Sequence, residues 1–134
     1  MVDADQLEAG SETDSLIAER VMGWVCKDGL YYDHTGKPTA FCADGYEMRN
    51  AEITNSEWHP SRKIAMALCV TYHLEGSGRV IEVSGPHSTP GAVWRVVIHH
   101  NGHGDLNGCY TSYMSCADKL EIAICRAALK AETS

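Results

Sequence analysis

Ala92-Val93-Trp94-Arg95-Val96-Val97-Ile98-His99-His100 is the stretch on which the fold turns. Its Val, Ile and Trp content is that of a strand. In an extended chain alternate residues share a face, so Trp94, Val96 and Ile98 form one side and Val93, Arg95, Val97 and His99 the other. Upstream, Arg79–Ser84 carries Val80-Ile81-Glu82-Val83, and the turn from Gly85 to Gly91 holds Pro86 and Pro90, which cannot continue a ladder. Downstream, Asn101-Gly102-His103-Gly104-Asp105-Leu106-Asn107-Gly108 connects to a third run, Cys109–Met114. The last two runs read as a long-looped hairpin, and three consecutive strands of this kind predict an antiparallel sheet.

Helical patterns flank this core. Ile17, Val21 and Trp24 fall at i, i+4 and i+7, with Thr13 or Ser11 as cap and Gly23 near the end, which predicts a helix from Asp14 to about Gly23. Trp58-His59-Pro60-Ser61 leads into a second helix, whose core face reads as Ile64, Ala67, Leu68 and Tyr72 and which Gly76-Ser77-Gly78 ends. Ser115-Cys116-Ala117-Asp118 fits a capping box before a last helix. That helix has one stripe of Leu120, Ala123, Ile124, Ala127 and Ala131 and another of Ile122, Cys125 and Leu129, a breadth that implies burial on more than one side.

Between helices one and two, residues 26–56 lose periodicity and read as an irregular insert, within which Leu30-Tyr31-Tyr32 and Thr39-Ala40-Phe41-Cys42 could pair as a short hairpin. Residues 1–12 read as a flexible leader and 13–134 as a single domain. The fold class that follows is α/β of the α+β type. It is a small antiparallel sheet of about three to five strands sandwiched by helices, in the order helix, insert, helix, strand, strand, strand, helix.

Composition narrows the function. The 134 residues suit one core, and the formal net charge of -7 argues against tracking nucleic-acid phosphates, which needs clustered Lys and Arg. There is no signal peptide and no apolar run of the roughly 20 residues that span a bilayer, so a cytoplasmic location is expected. Cys26, Cys42, Cys69, Cys109, Cys116 and Cys125 include no Cys-x-x-Cys pair and read as reduced, mostly buried thiols.

Several constellations invite chemistry. His99-His100-x-x-His103 offers imidazoles, but adjacent strand residues point to opposite faces, so His99 and His103 are the metal candidates, with Asp105 or Cys109 as further ligands; no metal or cofactor is expected. Gly102, Gly104 and Gly108 are followed by neither a helix nor a Gly-Lys-Ser/Thr step, which excludes a P-loop. Cys109, Cys116 and the histidines carry no nucleophile signature, so no enzyme is expected, although a helix N-terminus would sensitise Cys116. Binding is better supplied. Trp58, His59, Ser61 and Arg62 lie where backbone N–H groups and a guanidinium can hold an anion. Trp94 and Tyr110 offer flat faces to a base, with Arg95 beside them for charge.

Asp14-Ser15-Leu16-Ile17-Ala18-Glu19-Arg20-Val21-Met22-Gly23-Trp24 and Glu121-Ile122-Ala123-Ile124-Cys125-Arg126-Ala127-Ala128-Leu129-Lys130-Ala131 together resemble the opening and closing helices of the phage ABA sandwich domain family. Trp58-His59-Pro60-Ser61 followed by Lys63-Ile64-Ala65-Met66-Ala67-Leu68 is similar to the family's Pro-Ser step into its second helix. The second helix departs from the family, carrying Met-Ala-Leu-Cys-Val where Ala-Trp-x-Val is usual. The resemblance implies phage or prophage origin and a layered fold, and defines no catalytic residue. The expected function is a phage-encoded, non-enzymatic anti-defence protein that sequesters a small phosphorylated or nucleotide signalling molecule in the infected host cell, without direct nucleic-acid binding. The alternatives are a protein–protein inhibitor of a host defence complex, anti-CRISPR-like, working through the acidic surface and the insert, or a structural or regulatory accessory protein. A homo-oligomer suits all three.

Overall fold

The computed structural model describes residues 3–27, 30–41, 58–85, 93–100 and 111–133. The chain is α+β, as the sequence predicts. Helix α1 (Ser11–Leu16) runs without a break into π-helical turns over Ile17–Val21. Strands β1 (Val25–Lys27), β2 (Leu30–Tyr32) and β3 (Pro38–Phe41) come next, then α2 (Ile64–Gly76), strands β4 (Val80–Ser84), β5 (Trp94–His100) and β6 (Thr111–Ala117), and α3 (Leu120–Thr133). The strands form two antiparallel three-stranded sheets, β1-β2-β3 and β4-β5-β6.

The second sheet is the one read from Ala92–His100. Ile81 pairs with Ile98 and Val83 with Val96, and Ile98 in turn pairs with Tyr113 and Val96 with Ser115. The alternation holds: Val96 and Ile98 are fully buried, with Trp94 packed against the same core. Helix α3 lies on this face, and α2 packs against α3 and β4. Helix α3 buries Ile122, Ala123, Ile124, Cys125, Ala127, Ala128, Leu129 and Ala131, so its breadth of apolar positions is spent on several neighbours. Truncating a side chain such as Ile124, which is fully buried, costs about 2–5 kcal/mol because the cavity only partly collapses.

Several expectations need correction. Residues 3–10 are not a flexible leader, because Ala4 is buried and Leu7 packs on the core. The segment is strapped to the domain: Arg126 Nε donates to the Leu7 carbonyl at 2.7 Å, Lys130 pairs with Asp5 at 2.7 Å, and Ser115 donates to Asp5 at 3.2 Å. The Lys130 ammonium beside Asp5 holds that carboxyl below its usual range. The first helix starts at Ser11 behind Gly10, with no side-chain cap. It stops at Gly23, whose φ of +73° is cheap only for glycine.

The insert is not wholly irregular. The expected hairpin pairs Tyr31 with Ala40, and β1 adds a third strand through Cys26 and Tyr31. The Asp33 carboxylate shapes the β2–β3 turn by accepting from the Thr35 and Lys37 amides at 2.9 and 3.0 Å and from the Thr35 hydroxyl at 2.6 Å. These donors hold its carboxyl below the ordinary value. Cys42 and the rest of the insert to residue 56 lie outside the described residues.

The capping box before the last helix does not form. Ser115, Cys116 and Ala117 are the end of β6, paired with Val96, Arg95 and Trp94, and α3 begins at Leu120. Ladder pairing together with burial of Ser115 outweighs the local cap signal. Cys116 is therefore a strand residue rather than one at a helix N-terminus. The buried face of α2 is also rotated: of the expected residues Ala67 is buried, together with Val70, Thr71 and Leu74, while Ile64, Leu68 and Tyr72 are exposed. No helix among the described residues is long and apolar enough to cross a membrane.

Candidate functional site

The residues expected to hold an anion before helix two converge on one carboxylate, and it belongs to the protein. Asp14, in the first turn of α1, is 3% exposed. Its Oδ1 accepts from the Ser61 amide at 2.8 Å and its Oδ2 from Arg62 at 3.1 Å. His59 Nδ1 lies 3.8 Å from the same Oδ2 and 2.6 Å from Arg62 Nη2. A guanidinium has donors only, so Nδ1 is the acceptor in that second contact. The Ser61 hydroxyl is in contact with Gly10, accepting from its amide at 3.0 Å. Trp58, His59 and Ser61 are buried.

Trp58 is part of the same knot. Its indole N–H donates to the Asp14 carbonyl at 3.1 Å, and its ring meets Trp24 edge-on with centroids 4.6 Å apart. Trp24 in turn lies 6.0 Å from Tyr31, whose hydroxyl donates to Ser15 at 3.1 Å. Three aromatic rings thus join the end of helix one, the first sheet and the approach to helix two. This is the geometry of a binding site filled from within: the backbone N–H and the arginine are present, His59 Nδ1 holds the guanidinium in place, and Asp14 takes the place of an external anion.

The second expected cluster is divided by the pleat. Trp94 turns to the core and Arg95 to the opposite face, where Arg95 is exposed. Tyr110 lies outside the described residues. Cross-strand pairing places Ser84, Arg95 and Cys116 in one row, Glu82, Val97 and Met114 in the next, and Val80, His99 and Ser112 beyond that. Arg95 Nε donates to Ser84 at 3.3 Å, and among the described residues no carboxylate pairs with it.

His99 is held by its neighbours on this face. Its Nδ1 is 2.7 Å from the Ser112 hydroxyl and its Nε2 is 2.9 Å from Glu82. Hydroxyl, imidazole and carboxylate in that order can pass a proton along the line. Glu82 is 66% exposed, so water competes for its oxygens. Among the described residues no group of three or more His, Cys, Asp or Glu side chains could hold a metal. His103, Asp105 and Cys109 lie outside the described residues. Of the cysteines, Cys26, Cys69 and Cys116 are exposed and only Cys125 is buried, which corrects the expectation of mostly buried thiols among the described residues.

Sequence reasoning missed Asp14 as the centre of the first cluster. An acid in a first helical turn complements the helix dipole, and nothing local shows that it reaches Ser61, 47 residues away. His99 was singled out, but its partners Glu82 and Ser112 emerge only from strand register.

Fold and site together define a small domain of helices on antiparallel sheet, knotted at Asp14 and open on one face of its second sheet. The family model of the Phage ABA sandwich domain matches residues 15–129, and the chain belongs to that family. A solved phage protein from Bacillus cereus ATCC 14579 shares the fold, with a TM-score of 0.54 at 17% identity over 93% of this chain and 90% of the other. No curated protein matches the chain.

Proposed function

We propose that this phage-family domain is a non-enzymatic binding protein that counters host defence by holding a small phosphorylated signalling molecule, with Arg95 as its anion contact. Arg95 carries the reading. Its guanidinium is exposed on the open sheet face, oriented through Nε by Ser84, and its terminal nitrogens meet no carboxylate among the described residues. A planar fork of that kind suits two phosphate oxygens at once. Glu82, the acid on the same face, is engaged by His99. Val97 and Met114, in the adjacent row, supply apolar surface on which a base or ribose can lie.

Trp58, His59, Ser61 and Arg62 do not take this role, since their polar groups are directed at Asp14 and Gly10. Family membership supports the phage setting. The test is isothermal titration with ADP-ribose-type and cyclic nucleotides. Saturable binding is expected, weakened roughly 10- to 100-fold by Arg95→Ala, the range that a charge-assisted hydrogen bond supplies. Absence of binding heat and of thermal stabilisation across the panel refutes the reading.

A further inference from the structure

We propose that the exposed face of α2 is the interface of a symmetric homodimer, a reading independent of the ligand at Arg95. From Ile64 to Leu74 the helix reads Ile-Ala-Met-Ala-Leu-Cys-Val-Thr-Tyr-His-Leu, with no acid, Lys or Arg. A helix that is apolar all round is covered all round in a stable protein. Helix α3 buries its apolar stripes and keeps Glu121, Arg126, Lys130 and Glu132 at their half-buried margins. Helix α2 does not bury all of its apolar surface: Ala67, Val70, Thr71 and Leu74 are buried, whereas Ile64 is 41%, Leu68 41% and Tyr72 70% exposed. Those three side chains follow one another at i, i+4 and i+8 and form a single ridge. Ala65 and Cys69, small and exposed, lie beside it and leave room for another backbone to approach.

The charges at the ends select the occupant. Lys63 stands exposed just before the helix and Glu75 stands exposed in its last turn. Ile64 and Tyr72 are equidistant in sequence from Leu68. A second copy of α2, laid antiparallel about a two-fold axis at Leu68, therefore sets Leu68 on Leu68 and Ile64 on Tyr72. It also brings the Lys63 end of each helix to the Glu75 end of the other, and it opposes the two helix dipoles. A partner of one charge sign matches only one end of the ridge, while a second copy matches both.

Sedimentation velocity of the full chain over a concentration series tests the proposal. The wild type is expected to dimerise, and Leu68→Glu to raise the dimer Kd by at least about 100-fold, because one buried Leu is lost from each copy. Lys63→Glu alone should weaken the dimer, and Lys63→Glu combined with Glu75→Lys should restore it. Both swaps place charge favourably on the helix dipole, so they leave the fold intact and keep the test open should Leu68→Glu disturb it. A wild type that is monomeric at about 1 mM, a dimer indifferent to Leu68→Glu and to the swap, or a monomer whose α2 face is taken by another protein overturns the proposal.

Discussion

Replacing Asp14 by Ala should destabilise the domain without touching the core packing, and the size of the effect can be worked out contact by contact. The Ser61 amide belongs to a residue that is 2% exposed, and it loses its acceptor at 2.8 Å. A buried donor left without a partner costs about 1–3 kcal/mol. Arg62 loses a carboxylate at 3.1 Å, but its side chain is 38% exposed and can turn to water. That contribution is therefore nearer the value of about 1 kcal/mol for an exposed pair than the 3–5 kcal/mol of a buried one. The expected total is about 2–4 kcal/mol. At about 4 °C per kcal/mol for a domain of this size, Tm should fall by roughly 8–16 °C. Asp14→Asn keeps an oxygen for Ser61 and puts an NH2 group where Arg62 had its acceptor, so its loss should be about 1 kcal/mol, that of the half-exposed Arg62 pair.

A second readout separates an internal anion from a mere packing residue. With the carboxylate gone, the Ser61 amide and the Arg62 guanidinium face a vacancy of anion shape. Sulfate should then stabilise Asp14→Ala more than it stabilises the wild type, and that comparison removes the general stabilisation that sulfate gives by exclusion from protein surfaces. Urea unfolding within about 0.5 kcal/mol of wild type, or equal sulfate response in both proteins, refutes the reasoning.

Two other predictions rest on single positions. Gly85 has φ +103° and its hypothetical Cβ lies 2.5 Å from the Val93 carbonyl oxygen, so Gly85→Ala should cost about 1–3 kcal/mol and lower the urea midpoint; an unchanged midpoint contradicts this. Burial pushes the Cys125 thiol well up, with Asp14 and Glu121 adding to it, so maleimide should label Cys26 and Cys116 in the native protein and reach Cys125 only on unfolding. Mass mapping that finds Cys125 labelled as fast as the exposed thiols contradicts it.

What was legible in the sequence is what depends on periodicity. Val96 and Ile98 alternate toward the core, and α3 shows two apolar stripes because it has several neighbours to meet. The pairing of Leu30-Tyr31-Tyr32 with the run from Thr39 was legible as well, and Asp33 and Gly36 fix the β2–β3 connection between them. Pairing between distant segments was not. The Ser115-Cys116-Ala117-Asp118 signal is local and describes a cap, yet the alternation of Tyr113, Ser115 and Ala117 continues a strand once Trp94–Val96 lies alongside. A cap contact is one hydrogen bond, and extending the ladder adds several together with burial of Ser115.

Helix α2 shows the same limit from the other side. Ile64, Leu68 and Tyr72 outweigh Ala67, Val70 and Leu74 in apolar size, so size alone points the wrong face inward. The close approach of α2 to α3 and β4 selects Ala67 and Val70, because small and β-branched side chains fit where elements pack tightly. The larger side chains are thereby left outside, where a folded monomer gains nothing from them. Of the sequence-derived binding residues, Trp58, His59, Ser61 and Arg62 are spent on Asp14, while Arg95 is exposed to solvent. Binding by this domain is accordingly to be sought on two surfaces that are separate in chemistry, a cation on an open sheet face and an apolar ridge on a helix. Arg95→Ala and Leu68→Glu should affect ligand heat and dimer mass independently, each leaving the other unchanged.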